Sequence, residues 1–325
     1  MNKQLHFYLR FFIISVLSIS LSCSEDNETV IVDNNQSANI ELITKIDVTE
    51  IILGSVITIK TNITDEDGEV IKTKLMVDGN DIETITSPPF NFTWNTQAET
   101  EGVHHITIIA IDNKELSTSF DTEVILSENF TCGNDFFDPR DGNIYKTVKI
   151  DDQCWMAQNL NYKSEEGSWD YDDNPENGEK YGKLYKQEAA LMASPYGWHL
   201  PSDEEWKVLE GTVDSQLEVG SEEWNDWSYR GLDAGKNLKS ESEWEENGNG
   251  INKFGFNALP GGYKILDSGP GSDYYENLNF SATFWTSTSA GGNQLWSREL
   301  FSTKNSIHRI FYNDDWALGI RCIKD

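Results

Sequence analysis

From Ile40 to about Leu126 the chain alternates apolar and polar positions in short runs. Ile57, Ile59 and Ile63 fall on one side while Thr58, Lys60 and Asn62 fall on the other. Phe90, Phe92 and Trp94 alternate with Asn91 and Thr93, and Ile106, Ile108 and Ala110 share one face. A period of two is the mark of strands with one buried face. Asp65-Glu66-Asp67-Gly68 and Asp78-Gly79-Asn80 supply turns, and Pro88-Pro89 suits an edge or a strand start. No stretch here has a helical period. About seven strands in about 90 residues predicts a two-layer β-sandwich over 40–128.

Beyond Cys132 the pattern changes. Asp138 to Ile150 reads as a turn and a strand, and Gln153 to Leu160 as the second strand of a hairpin. Leu184, Tyr185, Ala189 and Met192, three or four apart, predict an amphipathic helix ended by Pro195. Ser202-Asp203-Glu204-Glu205 is a capping box, with Trp206, Leu209 and Val213 as the buried stripe of a second helix. Later segments are Gly-rich with short apolar runs such as Phe284-Trp285-Thr286. Two early helices and late short strands predict an α+β domain over 130–325, so the chain is expected to be multidomain.

The N-terminus reads differently again. Lys3 and Arg10 precede the apolar run Phe11 to Leu21, too short to span a bilayer comfortably but suited to a secretory signal. Small Ser22 stands before Cys23. Residues 1–22 are therefore expected to be a signal peptide, and the polar stretch 23–39 an acidic, flexible tether.

Composition narrows the function. The 325 residues carry 25 basic and 55 acidic side chains, a formal charge of −30. Such a field repels phosphates and excludes nucleic acid as an expected partner. Four cysteines are too few for a disulfide-built scaffold. Asp65, Asp67 and Asp112 are of a type that ligates calcium, but Asp in tight turns explains them, and no metal or other cofactor is assigned. His104 and His105, neighbours on a strand, point to opposite faces and cannot share a metal. No His-Glu-x-x-His, Cys-x-x-Cys, Gly-x-Ser-x-Gly or phosphate loop appears, so no enzyme is expected. His199 reads as a hydrogen-bonded structural residue. Trp224-Asn225-Asp226 repeats a lectin tripeptide out of place and is given no role.

Several segments resemble known families. Leu21-Ser22-Cys23 resembles a bacterial lipoprotein signal, with Ser20 where leucine is usual. The resemblance implies a diacylated Cys23 inserted in membrane lipid, with enough acyl chain for stable anchoring. The following Ser24-Glu25-Asp26-Asn27-Glu28 resembles the export signal of Bacteroidetes-type lipoproteins, implying the outer face of the outer membrane. Asp67-Gly68, Val77-Asp78-Gly79, Pro89-Phe90, Trp94-Asn95-Thr96 and Gly102-Val103-His104 resemble bacterial Ig-like modules, making the sandwich an all-β Ig-like spacer.

From about Cys132 onward the likeness is more specific. It rests on Asp141-Gly142 to Ile150, Cys154 to Ala157, Tyr181-Gly182-Lys183-Leu184-Tyr185 and Gly197-Trp198-His199-Leu200-Pro201-Ser202. Gly255 to Tyr263, Phe284 to Thr288 and Gly319 to Asp325 add to it. These motifs resemble the Fibrobacter succinogenes major paralogous domain, a family of extracellular domains with no established chemistry. The order of elements is similar to the C-type-lectin-like fold, whose last strand returns beside the first. There a cysteine ending the first helix usually pairs with one in the last strand; here Ser194 stands opposite Cys322. Formylglycine-generating enzymes share that fold, but the late region lacks their cysteine chemistry. In related domains a cysteine like Cys132 accompanies one like Cys154, which implies a Cys132–Cys154 bridge and a buried free Cys322. Cys154–Cys322, joining first and last strands, is the alternative.

The expected function is binding of an extracellular glycan or protein, with adhesion as a possible outcome. A polysaccharide-degrading enzyme or its accessory subunit, and a purely structural surface protein, are the alternatives. Late loops and strands, Phe284 to Arg298 and Ser302 to Trp316, are rich in uncharged hydrogen-bonding side chains and aromatics. Within them Tyr312, Asn313, Asp314 and Trp316 are the expected ligand contacts.

Overall fold

The period-two stretches close on one another through their apolar faces. A computed structural model describes residues 35–44, 46, 50–266 and 273–325; the expected signal peptide, Cys23 and most of the tether lie outside them. One sheet has the order Glu50–Ile52, Ser117–Ser127, Gly102–Asp112, Val70–Val77, Asn80–Ile85. Against it lie two ladders, Asn39–Leu42 with Thr61–Thr64 and Val56–Ile59 with Phe92–Asn95. Ile57, Ile59, Phe92 and Trp94 meet Leu75, Ile106, Ile108 and Ala110 in one core. Each inward position expected from the alternation is buried. The sandwich begins earlier than position 40: Ala38 is buried in its core and the Gln36 amide donates to Asp67. His104 faces inward and His105 outward.

Short strands and loops dominate the second half. A four-stranded antiparallel sheet runs Thr147–Ile150, Gln153–Met156, Ile323–Lys324, Trp198–His199. The opening hairpin is therefore paired with the last strand. A nine-stranded mixed sheet begins with Ser168–Trp169, Leu184–Lys186, Trp316–Leu318 and Gly261–Ile265, the last also paired with Tyr274–Leu278. It continues through Ser281–Gly291, Gln294–Phe301 and Ile307–Tyr312 to Ser228–Arg230 at its edge. The helix Asp203–Val213 has its capping box, Ser202 and Glu205 each bonding the other's backbone amide. Trp206, Leu209 and Val213 are its buried stripe.

The helix expected around 184–192 is corrected. Leu184–Lys186 is a strand, and only Gln187–Met192 is helical. Tertiary pairing outweighs the short helical period there: Tyr185 lies opposite both Ser168 and Leu318, its hydroxyl donating to the Tyr162 carbonyl at 2.6 Å. Met192, placed on the buried stripe by that period, is 85% exposed.

Cys132 and Cys154 form a disulfide. It closes a loop of 22 residues, a constraint of about 3 kcal/mol in the loop-entropy picture. Cys322 is a buried free thiol whose pKa burial pushes up to about 12. Its sulfur lies 3.5 Å from Ser194 Oγ.

A buried set of charges joins the helix to the large sheet. Glu210 on the helix accepts from Arg298 Nε and, at 2.5 Å, from Arg230 Nη2. Asp203, the first residue of the same helix, accepts from Arg309 Nε and Nη2 at 2.8 Å and pairs with Arg298 Nη1 at 2.8 Å. Arg230 and Arg309 also hold the carbonyls of Trp224 and Asn225. Despite the cost of burial, the hydrogen bonds and charges of Arg309 and Arg298 hold the Asp203 carboxyl well below the usual range.

Residues 36–325 pack as one unit, and the two halves trade core residues. Phe137, from the second half, is 1% exposed inside the sandwich core; Ile52, from the sandwich, packs with Trp198 and Phe136. The Thr58 amide donates to the Pro139 carbonyl at 2.8 Å. Phe137→Ala should therefore cost about 3–5 kcal/mol and expose the 128–136 connection to limited proteolysis. Unchanged denaturation and protease resistance would contradict a shared core.

Candidate functional site

The expected ligand residues sit where the large sheet meets solvent. Tyr312 ends its strand half-buried, its ring 4.4 Å from Trp316 and 6.5 Å from Trp285. Trp316 also lies 4.8 Å from Tyr263. The Tyr312 hydroxyl donates to Glu299 Oε1 at 2.6 Å, and Glu299 Oε2 meets His308 Nδ1 at 2.7 Å. Burial and the Glu299 charge push the Tyr312 pKa well up, so its phenol remains protonated. Asn293 donates to Asp314 at 2.6 Å, and Asn313 to Asp315 at 2.8 Å. The structure thus brings the four residues together as an aromatic ledge with an amide and carboxylate rim. Other members of the late polar run face inward. Trp285 is fully buried, donating to the Tyr185 carbonyl at 2.7 Å. Thr286 and Ser297 are buried as well. Thr288 Oγ1 caps the Asp203 amide. Trp296 is half-buried, with the Arg309 guanidinium 3.3 Å above its ring.

A second feature lies among the motif segments. A cavity of about 140 Å³ is bounded by Tyr145, Gln158, Asn159, Asn161, Tyr181, Asn257 and Arg321, among others. Arg321 is 1% exposed and donates to Asn159 Oδ1 at 3.0 and 2.7 Å. It also holds the carbonyls of Met156 and Phe256. Burial lowers its pKa to about 9, which leaves it charged at neutral pH. Asn159 passes the constraint on, donating to the Tyr181 carbonyl at 2.8 Å. Asn161 Oδ1 is buried there without a partner among the described residues. Of these carboxamides the sequence reading placed only Asn257 in a family motif and gave none of them chemistry; the usable signal was three of them within Gln158-Asn159-Leu160-Asn161.

Histidine chemistry is structural. His199 Nδ1 lies 2.7 Å from Asp325 Oδ1 and Nε2 lies 2.8 Å from Glu205 Oε1. Both ring nitrogens face carboxylates, so each acts as a donor. Among the described residues no group of three His, Cys, Asp or Glu is placed to hold a metal ion. No helix of the described residues is long and apolar enough to cross a membrane.

The model of the Fibrobacter succinogenes major domain matches residues 148–324, more than half of the chain. The chain belongs to this family. Every ledge residue, and every cavity residue named above except Tyr145, lies inside the matched span. A bacterial Ig domain matches 43–108, within the sandwich. No curated protein matches the chain. Among solved structures, the fibronectin(III)-like modules of Clostridium thermocellum CbhA share 21% identity at a TM-score of 0.26. That match covers 28% of this chain and 47% of the other, so the chain spans about half its length. The Yersinia pseudotuberculosis adhesin InvE shares 9% identity at a TM-score of 0.25, over 88% of this chain and 70% of that one. At such TM-scores neither likeness bears on function.

The His199 clamp has a defined pH window. Burial opposes its charge, but the bonds to Asp325 and Glu205 outweigh it and raise its pKa above 6.5. Its contribution is thus complete below pH 6.5 and fades as pH rises through the folded value. On the acid side, burial is outweighed by the Ser202 and His199 bonds, which lower the Glu205 pKa below 4.5. The Glu205 contribution is therefore lost as pH falls through that lowered value. Denaturation of wild type and His199→Gln should differ most near about pH 6 and converge toward about pH 9. A gap that widens with rising pH would overturn the assignment.

Proposed function

We propose that this protein is a lipoprotein, diacylated at Cys23 and displayed on the outer face of the outer membrane, whose C-terminal domain binds an extracellular glycan or protein. The role is binding, without turnover, and adhesion is its natural outcome. A lectin-like fold for residues 130–325 belongs to the same proposal. Its support is the return of Ile323–Lys324 to the opening hairpin and the meeting of Ser194 with Cys322.

The observation that carries the binding role is the ledge. Tyr312 and Trp316 offer flat apolar surface held by strands, and Asn293, Asn313, Asp314 and Asp315 surround it with donors and acceptors. Such a pairing suits the apolar face and hydroxyls of a sugar, or a polar peptide. Because the groups are already ordered, a ligand meets little further entropy loss.

Tyr312 is a poor probe, since its half-buried ring and its bond to Glu299 tie it to stability. Asn313→Ala with Asp314→Ala is the cleaner test. Displayed on cells, the wild-type chain should give saturable binding on a glycan array or to matrix proteins, and the double variant should lose about tenfold or more in affinity with an unchanged melting temperature. Cys23→Ala should release the chain from the membrane without altering ligand affinity. Unaltered affinity in the double variant would remove the ledge from the site.

A further inference from the structure

We propose that the cavity beside Arg321 is a binding site for one neutral, hydroxyl-bearing six-membered ring, such as a terminal pyranose. The inference rests on the reading of this domain as a binding module, but it places a pocket away from the ledge residues.

Size is the first ground. The cavity measures about 140 Å³, and an apolar cavity of about 150 Å³ holds one benzene ring. A pyranose has about twice the heavy atoms of benzene, so the cavity takes one ring with part of its hydroxyls at the open rim, and no second ring.

Lining chemistry is the second. Gln158, Asn161 and Asn257 bring carboxamides to the cavity from two separated segments. Asn161 Oδ1 is buried and has no partner among the described residues, whereas Asn257 is half-buried and Gln158 is exposed at the mouth. A buried carbonyl oxygen left without a donor is costly, so an occupant that donates to it is favoured, and the carboxamides beside it add further donors and acceptors. Hydroxyl groups do both.

Charge is the third ground, and it selects a neutral ligand. The Arg321 guanidinium is spent on Asn159 Oδ1 and on the carbonyls of Met156, Phe256 and Asn257, so it holds the wall and offers no free donor to an anion. Lys180, at the rim, is paired with Glu243 at 2.5 Å, and Glu179 lies beside it. What remains free inside is amide.

The test is titration of the full chain with methyl pyranosides of the gluco, galacto, manno and xylo series, followed by ligand-observed NMR and calorimetry. At least one should bind saturably. Asn161→Leu, which keeps the shape of the side chain and removes the unpartnered oxygen, should weaken it about tenfold or more without lowering the melting temperature. Gln158→Ala serves as the second variant if Asn161→Leu folds poorly. Asn313→Ala with Asp314→Ala should leave the pyranoside affinity unchanged. If no pyranoside binds, or if binding survives both cavity variants, the inference is overturned. If in that case glycan-array binding still depends on Asn313 and Asp314, the broader binding role stands without the cavity. Loss of both kinds of binding overturns the two together.

Discussion

Arginine holds this domain together from inside. Five of the six arginines in the sequence lie between residues 140 and 321, and Arg230, Arg298, Arg309 and Arg321 are between 0% and 6% exposed. A domain built from short strands and loops leaves many backbone carbonyls without a ladder partner, and a buried carbonyl without a donor is costly. Each guanidinium offers five donors in a fixed plane. Here they end on the carbonyls of Met156, Asn225 and Phe256, among others, as well as on Asp203, Glu210 and Asn159. Trp206, Trp224, Trp296 and Phe256 lie against their faces, so the same side chains pack as well as donate.

That internal scaffold explains where binding groups are found. The helix Asp203–Val213 is fixed to the strands Gln294–Phe301 and Ile307–Tyr312 by Arg298 and Arg309, and the second of these strands delivers Tyr312 to the ledge. Arg321 does the corresponding work for the cavity by ordering Asn159 and the Asn257 backbone. The −30 net charge is consistent with this division of labour: apart from a few buried carboxylates such as Asp203 and Glu210, the acidic groups among the described residues lie toward water, while Arg230, Arg298, Arg309 and Arg321 are committed to the interior. On the other side, the shared core around Phe137 makes the Ig-like sandwich a rigid mount for the second half.

Much of the sandwich was readable because strand burial has a period of two, and Ile57, Ile59, Phe92 and Trp94 declare their face locally. The capping box at Ser202 was readable for the same reason, its partners being three residues apart. The segment 184–192 was misread because its strand pairing is with residues far away in sequence, and a short helical period carries no information about them. The ledge residues were picked out by composition, yet composition could not tell that Trp285, Thr286 and Ser297 turn inward. The arginine contacts span up to 165 residues, and the cavity is assembled from loops that meet only after folding. Neither leaves a local pattern.

The central claim is that buried carboxylate–arginine pairs lock the helix Asp203–Val213 to the large sheet of the second half. Glu210→Gln tests it most directly, since it keeps the side chain's shape and removes the charge shared by Arg230 and Arg298. Chemical denaturation should show a loss of about 3–5 kcal/mol, the cost of leaving buried charges unpaired. A loss below about 1 kcal/mol, the range of an exposed ion pair, would contradict the account.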